Sequence, residues 1–294
     1  MTKPTVYFIK NINQDNLVKL FDLLNVDLGK RIAIKVHSGE KGNQNFLRPE
    51  FYKKIVDHVG GTIVECNTAY RGARNTTEKH RILLDEHGWS RYYKVDLLDS
   101  EGSLMIPVEN GKVLKENYIG KNFVNYDGLL VISHFKGHPM GGYGGALKQL
   151  SIGCASSEGK AWIHSAGKTK SQHKVWFKLP KQNTFLEAMA DAASSMHKYF
   201  NGKVAYINVM CNMSVDCDCC AVAEDPCLKD IGILSSLDPI AIDQACIDLV
   251  NKSNDIGKDH FMKRVNSRNG IHTIEAAAEL NFGCREYDLV EIEG

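Results

Sequence analysis

Residues 31–66 read RIAIKVHSGEKGNQNFLRPEFYKKIVDHVGGTIVEC. Two β-branched runs, Arg31 to Val36 and Thr62 to Cys66, flank a segment with helical spacing, in which Phe51, Ile55 and Val59 fall on one face. Pro49 suits the first helical position, and Gly60-Gly61 closes the segment. Strand, helix, strand in so short a span predicts a parallel pair. Upstream, Thr5 to Ile9 reads as a strand, followed by Leu17, Leu20, Phe21 and Leu24 at helical period. Downstream, Asn75 with Glu78 marks the start of a further helix reaching about His87-Gly88. The middle differs: Lys94 to Leu98, Leu104 to Val108, Val113 to Ile119 and Leu129 to Ser133 are strand-like, with no room for helices between them. The last third returns to α/β alternation, with Thr184 and Glu187 as a capping box and Asp238-Pro239 as cap and first residue of a later helix. Val204 to Met210, Ile231 to Leu234 and Tyr287 to Ile292 are its strands. The expectation is one α/β unit over residues 1–294, a mixed, largely parallel sheet with helices on both faces and an antiparallel extension in the middle of the chain.

Composition agrees: of 294 residues, 43% are hydrophobic and 24% charged, with a formal net charge of +1. That is an ordinary globular balance, which excludes a disordered chain, a collagen and a coiled coil. Balanced charge offers no global attraction to nucleic acid or to an anionic membrane, so neither is expected as a partner, and recognition has to be local. MTKPTVYFIK lacks the pattern of a signal peptide and no apolar run spans a bilayer, so the expected location is cytoplasmic. Nine cysteines without a secretory signal point to reduced thiols.

Two segments carry the chemistry. The first is a His- and Gly-rich loop region at 134–174, opening with His134-Phe-Lys-Gly-His138-Pro-Met-Gly-Gly-Tyr-Gly-Gly-Ala-Leu-Lys148 just past a strand. Ligands of open α/β sheets collect at carboxyl ends of strands, where glycines admit close backbone approach. Gly137 and Pro139 forbid an unbroken helix, so His134 and His138 would converge from a loop. A Walker phosphate loop is excluded, because Lys148 is followed by Gln149 rather than by Ser or Thr. The second segment, residues 211–227, holds Cys211, Asp216, Cys217, Asp218, Cys219, Cys220 and Cys227. Thiolates and carboxylates this close repel unless protonated or bound to a cation, which makes Asp216, Cys217, Cys219 and Cys220 candidate ligands for zinc, iron or an iron–sulphur cluster. A redox-active thiol pair and plain buried cysteines compete with that reading. In an extended chain Cys217 and Cys219 point to one side, and Asp216, Asp218 and Cys220 to the other. Arg48, before Pro49, is suited to clamp a carboxylate, although a solvated surface arginine looks the same in sequence. His164 has apolar neighbours and by itself reads as a core histidine.

The block His134 to Gly153, with Ser214-Val-Asp-Cys-Asp-Cys and Asp230-Ile-Gly-Ile-Leu, resembles the domain of unknown function 362 family, across nearly the whole chain. The resemblance implies an iron–sulphur centre. Many relatives carry it on C-x-x-C-x-x-C runs; here only the 211–227 cluster can bear it. A second, more distant similarity is to nickel-pincer lactate racemase: His138, nine residues, Lys148, fifteen residues, His164. It implies Lys148 as covalent carrier of the pincer cofactor, His164 as nickel ligand, His138 as proton-transfer base and Arg48 as carboxylate clamp. Where that family places a second histidine, this chain has Tyr70.

The leading expectation is a metal- or iron–sulphur-centre protein, redox-active or an enzyme on a small anionic molecule, served by a redox partner protein. In it His134 and His138 bind metal or move protons, Lys148 supplies charge or a covalent handle, and Cys217 and Cys219 ligate. The alternative enzyme is a pincer-type racemase or epimerase of a small hydroxy acid. A non-catalytic, metal-stabilised module binding an anion or a partner is the third reading.

Overall fold

The β-α-β stretch lies in the half of the sheet that frames the functional cavity. The computed structural model describes residues 3–294. Its first part runs β1 (Thr5–Ile9), α1 (Gln14–Leu23), β2 (Ile32–Lys35), α2 (Lys53–Val59), β3 (Thr62–Glu65), α3 (Thr77–Glu86) and β4 (Asp96–Leu97). The middle holds β5 (Ser103–Pro107), β6 (Glu116–Gly120), β7 (Gly128–His134), β8 (Lys136–His138) and β9 (Gly142–Gly144). After these come the short α4 (Ala146–Lys148), α5 (Ser157–His164), α6 (Gln182–Tyr199), β10 (Val204–Met210), β11 (Gly232–Ser236), α7 (Pro239–Lys252), α8 (Lys258–Ser267), α9 (His272–Glu279) and β12 (Asp288–Glu291).

Eight strands form one sheet in the order β12-β1-β11-β10-β7-β2-β3-β4. It is mixed and mostly parallel: β10, β7, β2, β3 and β4 pair parallel, and β11 runs antiparallel between β10 and β1. The strand-like middle divides. β7 enters the sheet between β10 and β2, and β4 joins β3, while β5 and β6 pair antiparallel as a separate ribbon. Alternation along β7 supplies both cores: Leu129 and Val131 face the cluster built with α4, α6, α7 and α9, and Leu130 and Ile132 face the cluster built with α1, α2 and α3.

The caps explain the helix ends. Asp238 accepts from the N–H groups of Ile240 and Ala241 with Pro239 at the first position, as the sequence predicts. Gly60 ends α2 in the left-handed conformation, at φ +62°. Pro49 opens a 3₁₀ turn, Pro49–Tyr52, that leads into α2. Thr76, one residue after the expected Asn75, caps α3 by accepting from the Lys79 N–H. α6 starts at Gln182, two residues before the capping-box threonine, because the Gln182 amide is tied to the carbonyl oxygens of Met140 and Arg268. Among the described residues no helix is long and apolar enough to cross a membrane.

Candidate functional site

β2 leads to β3 on one side of the sheet, and its other neighbour β7 pairs onward with β10, so the boundary between β2 and β7 is a topological switch point. The residues just past the carboxyl ends of β2, β3 and β7 open onto a cavity of about 220 Å³. Lys35, His37, Glu65, Tyr70, Arg74, His138, Lys148, Lys160, His164, Trp176 and Cys219 are among its lining residues. Here the two segments singled out in the sequence meet.

His134 and His138 have different fates. His134 ends β7 with both ring nitrogens against acceptors: Nδ1 is 3.0 Å from each carboxylate oxygen of Asp218, and Nε2 is 2.6 Å from the Cys211 carbonyl. Neither nitrogen is left for a metal or a substrate, so His134 is a pillar for the cysteine segment rather than the ligand or proton carrier expected of it. Burial pushes the Asp218 carboxyl up, but His134 and Lys136 outweigh it and hold it well below the usual carboxylate range. The chain then pairs β8 with β9. Gly137 is required there, since a Cβ would sit 2.3 Å from the Val215 carbonyl oxygen. This close passage lays His138 beside the cysteines.

Cys217 Sγ, Cys219 Sγ and a ring nitrogen of His138 lie within 4.8 Å of one another, a donor set that can hold a metal ion. Cys217 is buried, and Lys148 Nζ donates to its sulfur at 3.4 Å, as does the Cys219 N–H. Burial pushes the Cys217 thiol up, yet the Cys219 thiol, Lys148 and His138 hold it well below its ordinary value, so it is the thiolate of the pair. Cys219 keeps its proton: its thiol donates to Cys217, which raises it. Lys148 is lowered by burial but raised more by the Cys217 charge.

Backbone contacts fix the imidazole tautomers. His138 Nδ1 accepts from the N–H groups of Met140 at 3.1 Å and Gly141 at 2.8 Å, so a neutral ring carries its proton on Nε2, 3.8 Å from Cys219 Sγ. His37 is alike: Nδ1 accepts from the Gly39 N–H at 3.1 Å, so the neutral ring carries its proton on Nε2. His164 is the reverse. Its Nδ1 donates to the Lys160 carbonyl at 2.7 Å, which leaves a lone pair on Nε2 in the cavity wall. Burial lowers His37 and His164 each to about 4, so both are neutral. Two rings therefore carry their protons on Nε2, that of His138 facing Cys219 Sγ, and the third offers an acceptor.

The remaining candidates lie elsewhere. Asp216 pairs with Arg264 at 3.1 Å and is turned away. Cys220 closes a turn onto the Cys217 carbonyl and stands outside the donor set, and Cys227 bonds back to Met213. Among the described residues no third sulfur joins Cys217 and Cys219. Arg48 is exposed, donates to the Gln44 carbonyl and stacks on Phe46 at 4.0 Å; the arginine lining the cavity is Arg74. His37, which opens the segment just past β2, Arg74 and Lys160 also line the cavity. The signal for the first two is position, since both follow carboxyl ends of parallel strands. Lys148 is followed by a π-helical turn, Gln149–Gly153, a local distortion frequent at functional sites, which puts Gln149, Ile152 and Gly153 on the wall with it.

The solved structures to which the chain is similar include two of known source. One is the lactate racemase apoprotein from Thermoanaerobacterium thermosaccharolyticum: 18% identity, TM-score 0.39, 69% of this chain and 50% of that one. The other is a structural-genomics protein from Thermotoga maritima: 12% identity, TM-score 0.41, 90% of this chain and 58% of that one. The chain thus spans between half and three fifths of the length of these proteins. No curated protein matches it. The model of the domain of unknown function DUF362 matches residues 32–248, from β2 through the cysteine segment into α7. This chain belongs to the DUF362 family.

Proposed function

We propose that the protein is a metal–thiolate enzyme: Cys217 and Cys219 bind a soft metal ion beside a cationic cavity that takes a small organic anion. The observation that carries this reading is the grouping of two sulfurs and the His138 ring within 4.8 Å at the carboxyl ends of parallel strands. Sulfur donors suit zinc, iron or nickel rather than calcium or magnesium. The fit is uneven. Cys217 is already ionised and Cys219 has one proton to lose, whereas His138 would ligate through Nε2 only after losing the proton its backbone contacts assign there. The sulfurs are the donors that fit as they stand. A bound ion would supply Lewis-acid or redox chemistry.

The chain's own groups do the rest. Lys148 balances the thiolate, and Lys148 and Lys160 draw an anion in, since Lys160 Nζ has the Ala155 carbonyl as its protein partner at 2.6 Å. Nε2 of His164 accepts a proton or hydrogen bond from what enters, and Nε2–H of His138 donates one. Ala69, Met140, Ile152 and Trp176 give the cavity apolar wall, which suits an organic anion.

The nickel-pincer reading is supported by His138, Lys148 and His164 sharing the cavity. Two-sided proton transfer does not fit: Tyr70, in the place of a second base, accepts from Arg74 at 2.8 Å and donates to Glu40 at 2.9 Å, and burial raises its phenol. Elemental analysis with intact-mass measurement on anaerobically purified protein separates the readings. The expected result is a stoichiometric soft metal lost in Cys217→Ser/Cys219→Ser, with Lys148 at its unmodified mass. Metal content indifferent to both serines would reject the proposal, and an adduct on Lys148 would reinstate the pincer.

A further inference from the structure

Between Glu158 and Glu187 the chain has no acidic residue, and within this span Lys168, Lys170, Lys174, Lys178 and Lys181 are all exposed. Among the described residues none of these five makes an ion pair, and Lys170 rests over the Tyr118 ring at 4.5 Å. The same segment exposes large apolar side chains: Phe177 is 88% exposed, Leu179 45% and Trp176 37%. Three such side chains clustered on one strap mark a contact site.

The segment is held in place. The Ser165 hydroxyl accepts from the N–H groups of Lys168 and Thr169, Val175 is buried against Ala69 and Ala161, and Trp176 packs on the His164 ring at 5.9 Å. Gln182 pins its far end to Met140 and Arg268. Phe177 therefore projects from an anchored 3₁₀ turn, Val175–Phe177, next to the cavity.

We propose that residues 168–181 dock the protein onto an anionic lipid surface, with Phe177 and Leu179 entering the headgroup layer and the lysines facing the phosphates. Composition chooses the occupant. Protein interfaces are enriched in arginine and depleted in lysine, whereas every basic residue of this strap other than His173 is lysine. Lysine interleaved with Trp, Phe and Leu is the chemistry of segments that lie on membranes. Single-stranded nucleic acid stacks successive bases on several free aromatic faces, and this strap offers Phe177 alone, because Trp176 is packed on His164. The net charge of +1 conceals this patch, because acidic residues elsewhere cancel it. Since Trp176 belongs to both strap and cavity, docking would place the cavity mouth at the lipid surface.

Co-sedimentation of the full chain with phosphatidylcholine vesicles containing about 30 mol% phosphatidylglycerol tests this. Binding is expected to these vesicles and not to pure phosphatidylcholine, weakening with salt. Lys174→Gln/Lys178→Gln should weaken it more than about tenfold, and Phe177→Ala about tenfold. These positions are exposed, so circular dichroism melts should match the parent; Leu179→Ser replaces any variant that does not. The proposal is overturned by no binding to the anionic vesicles, by variants that bind as the parent does, or by tighter binding to polyuridylate RNA.

Discussion

On one side of the cavity Lys35, Glu65, Arg74 and Glu40 neutralise one another through contacts of 2.6–3.5 Å; on the other, Lys148 faces one sulfur at 3.4 Å and Lys160 one carbonyl at 2.6 Å. The first wall is closed. Glu65 also accepts from the N–H and hydroxyl of Ser38, and Glu40 accepts from Tyr70 and the Ala73 N–H. Burial would raise Glu65, but Lys35 and Arg74 hold it well below the ordinary range. A buried network so completed maintains a shape and has nothing to offer a ligand. The second wall keeps two ammonium groups, of which Lys148 has the Cys217 thiolate as partner and Lys160 a carbonyl oxygen, and the Nε2 lone pair of His164. Buried charge is thus a poor guide to function by itself; what separates the walls is whether each charge is already compensated.

Breaking the closed wall should have the largest effect. Glu65→Gln leaves Lys35 and Arg74 short of a counter-charge in the interior, and a loss of about 3–5 kcal/mol of stability is expected from a denaturant titration. Next comes the pH response of His164. Its folded value of about 4 lies below the unfolded value of 6.5, so the unfolded chain binds more protons between them. Its contribution is present above pH 6.5 and is lost as pH falls through about 4. Roughly 2 kcal/mol should disappear between pH 7 and pH 5, and His164→Phe, compared with the parent at both pH values, should remove that share of the slope. Smallest is Lys148→Met. Because Lys148 is only part-buried and Cys217 can take up a proton once its cation is gone, the change should stay within about 1 kcal/mol, while anion binding read by tryptophan fluorescence is lost. Equal destabilisation by Glu65→Gln and Lys148→Met would erase the distinction between the walls.

Much of the fold was legible because burial on two faces imposes period two on β7 and period near 3.6 on the helices. Caps written into the sequence, such as Asp238-Pro239, also placed their helix correctly. Where tertiary bonds override a local signal, the reading slips. Gln182 extends α6 beyond its capping box, and α5 begins at Ser156, a cap hidden in a Gly- and Ser-rich stretch read as irregular. At the site, the alternation argument puts Cys217 and Cys219 on one side, and in the structure their sulfurs do converge with Asp216 turned away, although a tight turn rather than a strand does it. Sequence could not distinguish His134 from His138. The difference lies in contacts from remote residues: Asp218 and Cys211 engage both nitrogens of one, and a local pair of N–H groups engages a single nitrogen of the other. Arg48 and Arg74 illustrate the same blindness, because each follows a strand and only packing decides which one turns inward.

The central claim is that Cys217 and Cys219 together carry the metal. X-ray absorption at the metal edge of anaerobically purified protein measures this directly. Two sulfur scatterers are expected at about 2.3 Å, the ordinary metal–thiolate distance, both lost together in Cys217→Ser/Cys219→Ser. A first shell of nitrogen and oxygen alone would contradict it.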